Sequence, residues 1–137
     1  MSNLSPEQRA RVIIDKQLQR EGWDIVSRSE YIPGTTSAIK EALMIGRLES
    51  DYLLFVDNKA IAVVEAKKGS DPLGDDVSIQ VENYARNPVA WYGLWYQNLI
   101  PLVYKANGNK ILFKNLLTGD DDYEELGEMH SPKQMLR

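Results

Sequence analysis

Three residues carry the chemistry this sequence makes available: Asp51, Glu65 and Lys67. Asp51 opens the apolar run Tyr52-Leu53-Leu54-Phe55-Val56, and Glu65 closes the run Ala60-Ile61-Ala62-Val63-Val64. Between them lies Asp57-Asn58-Lys59, whose residue types favour a tight turn. The two runs read as a β-hairpin. A three-residue turn centred on Asn58 sets Asp51 directly opposite Glu65, and a two-residue turn at Asn58-Lys59 staggers them by one. Directly opposed side chains have Cβ atoms ~5 Å apart. Two carboxylates that close repel unless something positive sits between them, and a divalent metal with oxygen ligands at ~2.1 Å suits the gap. Lys67, two residues beyond Glu65, projects from the same strand face. The chemistry on offer is metal-assisted hydrolysis. The metal would lower the pKa of a bound water and neutralise charge on a phosphate, while lysine orients that water or stabilises developing charge. The competing reading makes Asp51 and the Glu65–Lys68 cluster polar strand ends at a hairpin mouth.

Gln80 and Tyr84 are four apart and share a helix face. They either point at the sheet edge that holds Glu65, or Tyr84 belongs to the core with Gln80 at its boundary. Taken alone, the spacing favours the second.

The elements that must position these residues follow from local signals. Ser5-Pro6-Glu7-Gln8 reads as a helix start, with Ser5 as N-cap and Gln8 completing a capping box. Ala10, Ile13, Ile14 and Leu18 recur at helical spacing, and Gly22 is a good terminator, so a helix is predicted over 6–21. Trp23 to Ser27 reads as a short strand, 31–38 as a loop, and Ile39 to Ile45 as a short helical turn. Asp75 or Asp76 is expected to cap a second helix reaching Asn87, where Pro88 stops it. Leu99 to Lys105 and Lys110 to Asn115 read as strands around an Asn107-Gly108-Asn109 hairpin turn. Beyond Thr118 the chain is expected to be loose. The order helix, strand, hairpin, helix, hairpin implies an α/β fold: a mixed sheet with helices packed on it.

Composition narrows the function. At 137 residues the chain makes one domain. With no cysteine, disulfides, zinc fingers, iron–sulfur clusters and thiol nucleophiles are excluded. His130 is the single histidine, which leaves no multi-histidine site, so carboxylates, lysine or hydroxyls must do any catalysis. No apolar run approaches the ~20 residues of a membrane span, and residues 1–11 contain no hydrophobic signal core. The net charge of −4 argues weakly against nucleic-acid binding. The acidity is concentrated, however. Asp120, Asp121, Asp122, Glu124, Glu125 and Glu128 fall in one stretch, and without them the chain is +2.

Asp51, then Glu65-Ala66-Lys67, then Gln80 and Tyr84 resemble the PD-(D/E)xK nuclease pattern with its QxxxY extension. More narrowly, the chain is similar to the N-terminal nuclease domain of the R (restriction) subunit of type I restriction enzymes. Ile14-Asp15, Gly22-Trp23, Asp51-Tyr52-Leu53-Leu54, Val64 to Lys68, Gln80 to Ala85, Asn107-Gly108 and His130-Ser131-Pro132 carry that likeness along most of the sequence. Ser50 stands where the motif name has proline.

The resemblance implies a restriction-endonuclease-like αβββαβ core forming a single nuclease domain over 1–118. Residues 119–137 would be an acidic C-terminal segment or linker toward a missing motor domain. Asp51 and Glu65 would bind Mg²⁺, with Mn²⁺ able to substitute, and the Ala66 backbone carbonyl would be a further ligand. Lys67 would act on the attacking water. Gln80, Tyr84 and Lys68 would support the site or contact DNA. An acid on the first helix sometimes helps hold metal in this superfamily; Glu7 is the candidate here and Asp15 competes with it. Lys40, Arg47 and Arg86 are further basic candidates for DNA contact, with scattered solvated charge as the rival reading. Trp91, Tyr92, Trp95 and Tyr96 would stack on bases or, the favoured reading, form core or an interface with a missing domain.

The implied function is Mg-dependent double-stranded DNA cleavage in a cytoplasmic bacterial or archaeal restriction complex, beside methyltransferase and specificity subunits. ATP would serve the family's motor domain and not this chain, since Gly69 to Gly74 has Walker glycine spacing but Asp75 replaces the lysine. The chain is thus expected to be a fragment of a longer protein or a free-standing relative, and the ending near Ser131-Pro132 favours the fragment. The alternative function is a non-catalytic DNA-binding or subunit-docking module on the same fold.

Overall fold

The computed structural model describes residues 4–27, 36–43, 49–88, 99–118 and 122–136. Helix α1 (Pro6–Arg20) begins as the sequence predicts. Ser5 accepts from the Gln8 backbone, and the Gln8 side chain accepts in return from the Ser5 N–H. Gly22, at φ +98°, follows the C-cap in a conformation that side chains disfavour. Ala10, Ile14 and Leu18 form the buried stripe of α1.

Among the described residues, seven strands make one mixed sheet in simple sequence order: β1 (Asp24–Val26), β2 (Ser37–Leu43), β3 (Glu49–Val56), β4 (Lys59–Ala66), β5 (Leu102–Ala106), β6 (Ile111–Asn115) and β7 (Glu124–Leu126). The pairs β1–β2 and β4–β5 are parallel, and the rest are antiparallel. Helix α2 (Asp75–Arg86) connects the parallel pair β4–β5. β4 is covered on both faces, which is why Ala60 to Val64 is apolar without alternation. One face packs Ile14 and Leu18 of α1 against Tyr52, Leu54, Val64 and Tyr104. The opposite face packs Val81, Tyr84 and Ala85 of α2 against Leu53, Phe55, Val63 and Val103. The sheet is therefore flanked by helices on both sides.

Four local expectations are corrected. The stretch expected as a helical turn over 39–45 is strand for 39–43, because β2 pairs with β3 from Ser37↔Phe55 to Leu43↔Glu49. Gly74, not Asp75 or Asp76, is the N-cap of α2, and both acids lie in its first turn, where they favour the positive helix end. The first strand of the last hairpin begins at Leu102 and not Leu99. The C-terminal stretch expected to be loose adds β7 to the sheet edge and ends in α3 (Pro132–Met135), with Met129 and Met135 buried. Trp23 Nε1 donates to the His130 carbonyl at 2.9 Å, and His130 Nδ1 meets Tyr104 Oη at 2.7 Å. These contacts tie 129–135 to the core. The readings for Arg47, Trp91, Tyr92, Trp95 and Tyr96 lie outside the described residues.

The β3–β4 turn is the decisive local feature. Asp57 and Asn58 both have positive φ, 49° and 68°. This is the two-residue type I′ geometry that Asp and Asn tolerate; it lies one residue earlier than the two-residue turn expected at Asn58-Lys59 and one residue shorter than the three-residue turn centred on Asn58. Val56 pairs with Lys59 and Phe55 with Ala60, but Leu54 then pairs with Ala62. Ile61 is an extra residue, a β-bulge. Ile61 and Ala62 consequently pack into the same apolar cluster, the one that holds α1.

Candidate active site

Beyond the bulge, Tyr52 faces Val64, so Asp51 comes across from Glu65. Without the extra residue the tight turn would set Asp51 against Val64 and send Glu65 to the other face of the sheet. Two hydrogen bonds fix the pair. Asp51 N–H donates to Glu65 Oε1 at 3.3 Å, and Ala66 N–H donates to Asp51 Oδ2 at 2.7 Å. Glu65 is 2% exposed. Burial, then the Asp51 charge, push its carboxyl well above the ordinary carboxylate range, and Lys67 pulls less strongly in the opposite direction. Lys67 leaves β4 through a hydrogen bond from its N–H to Ala106 O at 2.9 Å. Its side chain is half-buried and within electrostatic reach of Glu65. The fold thus brings Asp51, Glu65 and Lys67 to one end of the central strands.

The other expected residues are placed as follows. Gln80 Nε2 donates to Tyr84 Oη at 3.4 Å, so the two share a face of α2. Tyr84 is buried in the apolar cluster between α2 and the sheet. Lys68 is exposed just past the site. Glu7 is exposed one helical turn before Arg11. Asp15 accepts from Tyr52 Oη and pairs with Lys40 at 3.0 Å. Arg86 pairs with Glu82 at 3.7 Å near the far end of α2.

Sequence reasoning missed two cations. Arg11 of α1 reaches Asp51: Nη2 donates to its carbonyl at 3.4 Å, and Nη1 stands 3.9 Å from Oδ1. Helical phase alone marks Arg11 as a surface residue, and only the docking of α1 on the strand ends reveals the contact. That docking is close. A Cβ on Gly108 would sit 3.3 Å from Ile13 Cδ1 and 3.5 Å from Ala10 Cα, so the turn expected at Asn107-Gly108 carries α1 directly on its back. Lys105 is the second cation. It is the register partner of Glu65 in β5 and is 4% exposed. Its Nζ donates to Leu73 O and Ser78 Oγ, both at 2.6 Å, and lies 4.0 Å over the Tyr123 ring. Burial lowers its pKa. Lys105 therefore anchors the loop and helix that follow Lys67. A lone lysine within Leu102 to Ala106 was the available signal.

Two carboxylates, one of them deeply buried, suit a divalent cation that keeps several waters and takes one or two protein carboxylates. Among the described residues no group of three or more acids or histidines forms a fuller cage, so Asp51, Glu65 and backbone oxygen are the donors available. No helix among the described residues is long and apolar enough to cross a membrane.

Residues 30–118 match the family model described as the second domain of the type I restriction enzyme EcoKI endonuclease subunit. The chain belongs to that family. The description names a second domain where the resemblance pointed to an N-terminal one; the subunit is the same. A stretch of 81 residues is 40% identical to the type I restriction enzyme EcoKI endonuclease subunit of Escherichia coli (strain K12). It covers 50% of this chain and 7% of that protein. No solved structure matches. The restriction-subunit span 30–118 includes Asp51, Glu65, Lys67, Gln80 and Tyr84, and leaves α1 with Glu7 and Arg11 outside.

Proposed function

We propose that this chain is the metal-dependent DNA-cleaving domain of a type I restriction enzyme R subunit, built on a PD-(D/E)xK core. One observation carries the reading: Asp51 and Glu65 are held against each other across β3 and β4, with Lys67 two residues on. Like carboxylates placed this close, one of them buried, favour a cation bound between them.

Asp51 and Glu65 would hold Mg²⁺, or Mn²⁺ in its place, with the Ala66 carbonyl as a backbone donor. When bound, the metal would supply a water of lowered pKa and charge neutralisation at a phosphate. The chain's own residues do the rest. The Ala66 N–H fixes one Asp51 oxygen and leaves Oδ1 free of that bond. Lys67, half-buried two residues beyond Glu65, would orient the attacking water and stabilise charge on the phosphodiester. Tyr84 supports the site from the core through α2, Gln80 pairs with its hydroxyl, and Lys68 offers an exposed contact for the DNA backbone.

The substrate on this reading is double-stranded DNA in a cytoplasmic complex with methyltransferase and specificity subunits, with ATP consumed by motor domains elsewhere. The test is calorimetric titration of Mn²⁺ into the chain beside Glu65→Ala. Binding by the wild type that disappears in the variant supports the site. Equal binding by both overturns it. A non-catalytic docking module would show no metal binding, and cleavage by the assembled complex would then survive Lys67→Ala.

A further inference from the structure

Arg11 approaches the site from outside every acid–lysine motif. Its guanidinium lies against two carboxylates at once, with Nη1 3.5 Å from Glu41 Oε1 and 3.9 Å from Asp51 Oδ1. The pairs Lys40↔Tyr52 and Ala42↔Ser50 bracket Glu41 and Asp51, with Glu41 itself left out of the ladder at φ 53°. Arg11 therefore covers two acids, Glu41 of β2 and Asp51 of β3. The placement is well braced. Tyr52 Oη donates to Asp15 and stands 3.4 Å from the Arg11 carbonyl, and the guanidinium stacks 5.5 Å from the Tyr52 ring centre. The Arg11 side chain is 20% exposed and Asp51 19%, so the contact is partly shielded from solvent and less screened than a surface pair.

We propose that Arg11 is a positioning residue that serves Asp51 as an internal counter-cation and competes with the divalent metal for it. The inference rests on the metal-site reading. A guanidinium this near a ligand oxygen removes part of the negative potential that attracts a metal ion. A phosphodiester offers the same guanidinium a better-matched, bidentate partner. The way in is open: a groove of about 220 Å³ between α1 and β2 is lined by Gln8, Arg11, Asp15, Lys40 and Glu41. The site accordingly takes metal most readily when a phosphate draws Arg11 from Asp51.

The sign of one measurement decides. Mn²⁺ is titrated into the full chain as wild type, Arg11→Gln and Arg11→Lys. Competition predicts binding about three- to tenfold tighter in Arg11→Gln, and near wild-type binding in Arg11→Lys. A bracing role alone predicts weaker binding in Arg11→Gln, because Asp51 loses an anchor. Weaker or equal binding overturns the inference while leaving the metal site standing, and no binding in any of the chains overturns both. If Arg11→Gln does not fold, Arg11→Met keeps the stem packed on Tyr52, removes the charge and carries the same expected direction.

Discussion

Asp51 and Glu65 hold each other through the backbone as well as the side chains: the Asp51 N–H donates to Glu65 Oε1 while Asp51 Oδ2 accepts from the residue after Glu65. The reciprocal arrangement makes the pair rigid without any ligand. It also separates what each carboxyl contributes, and that separation can be measured.

Glu65→Gln should abolish Mn²⁺ binding while holding or raising the melting temperature of the metal-free chain. Burial and Asp51 already favour the uncharged form of Glu65, so the neutral isostere costs the fold little. Asp51→Asn should also abolish binding but lower stability by about 1 kcal/mol, since the Ala66 N–H loses a charged acceptor. Titration calorimetry and thermal melts on both variants check this, and a large drop in the melting temperature of Glu65→Gln would contradict it.

Lys67→Ala should leave Mn²⁺ affinity within about twofold and reduce cleavage by the assembled restriction complex at least ~100-fold, the usual weight of a positioned proton-handling group. Wild-type cleavage rates in that variant would remove Lys67 from the mechanism.

Tyr84→Phe and Tyr84→Ala should differ sharply in stability. The 3.4 Å contact with Gln80 is weak, so loss of the hydroxyl should cost under ~1 kcal/mol. Loss of the ring, buried against Val103 and Ala85, should cost about 3–5 kcal/mol. Denaturant unfolding of the two variants gives the comparison.

Glu82 should make folding weaken in acid. Burial raises its pKa, but the Tyr123 hydroxyl at 2.7 Å, Lys114 at 3.4 Å and Arg86 together bring it below the ordinary value. With the folded pKa depressed, the stability is present above the unfolded-state pKa and is lost as pH falls through the folded value. Glu82→Gln should therefore be less stable than wild type at neutral pH and converge with it in acid. A gap that stays constant with pH would show that the network acts by packing alone.

Ser50→Ala should be neutral or stabilising by up to ~1 kcal/mol. Ser50 is fully buried, and its Oγ has no hydrogen-bond partner among the described residues, so its removal relieves a desolvated hydroxyl. The hydroxyl next to Asp51 is thereby expected to be dispensable for metal binding, which titration of the same variant shows directly.

The sequence by itself determines the parts whose signals are local. The Ser5–Gln8 box and Gly22 bound α1, the apolar runs on either side of Asp57-Asn58 make β3 and β4, Val77 to Ala85 make the apolar stripe of α2, and Asn107-Gly108 makes the last turn. Each rests on capping, periodicity or turn chemistry within a few residues. It also brings Asp51, Glu65 and Lys67 to one hairpin mouth. Tertiary structure decides the rest. The tight turn alone would put Asp51 and Glu65 on opposite faces, and the Ile61 bulge, which allows both helix-packed faces of β4 to fill, returns them to one. β2 is a strand because β3 offers it a partner, although its own residues read as a helical turn. Residues 122–136 pack on the domain because Met129 and Met135 find the core and His130 finds Trp23 and Tyr104. Arg11 meets Asp51 forty residues away in the chain because Gly108 lets α1 settle onto the strand ends. Pairings of that range leave no mark on local periodicity, since they depend on which surfaces remain to be buried once the local elements have formed.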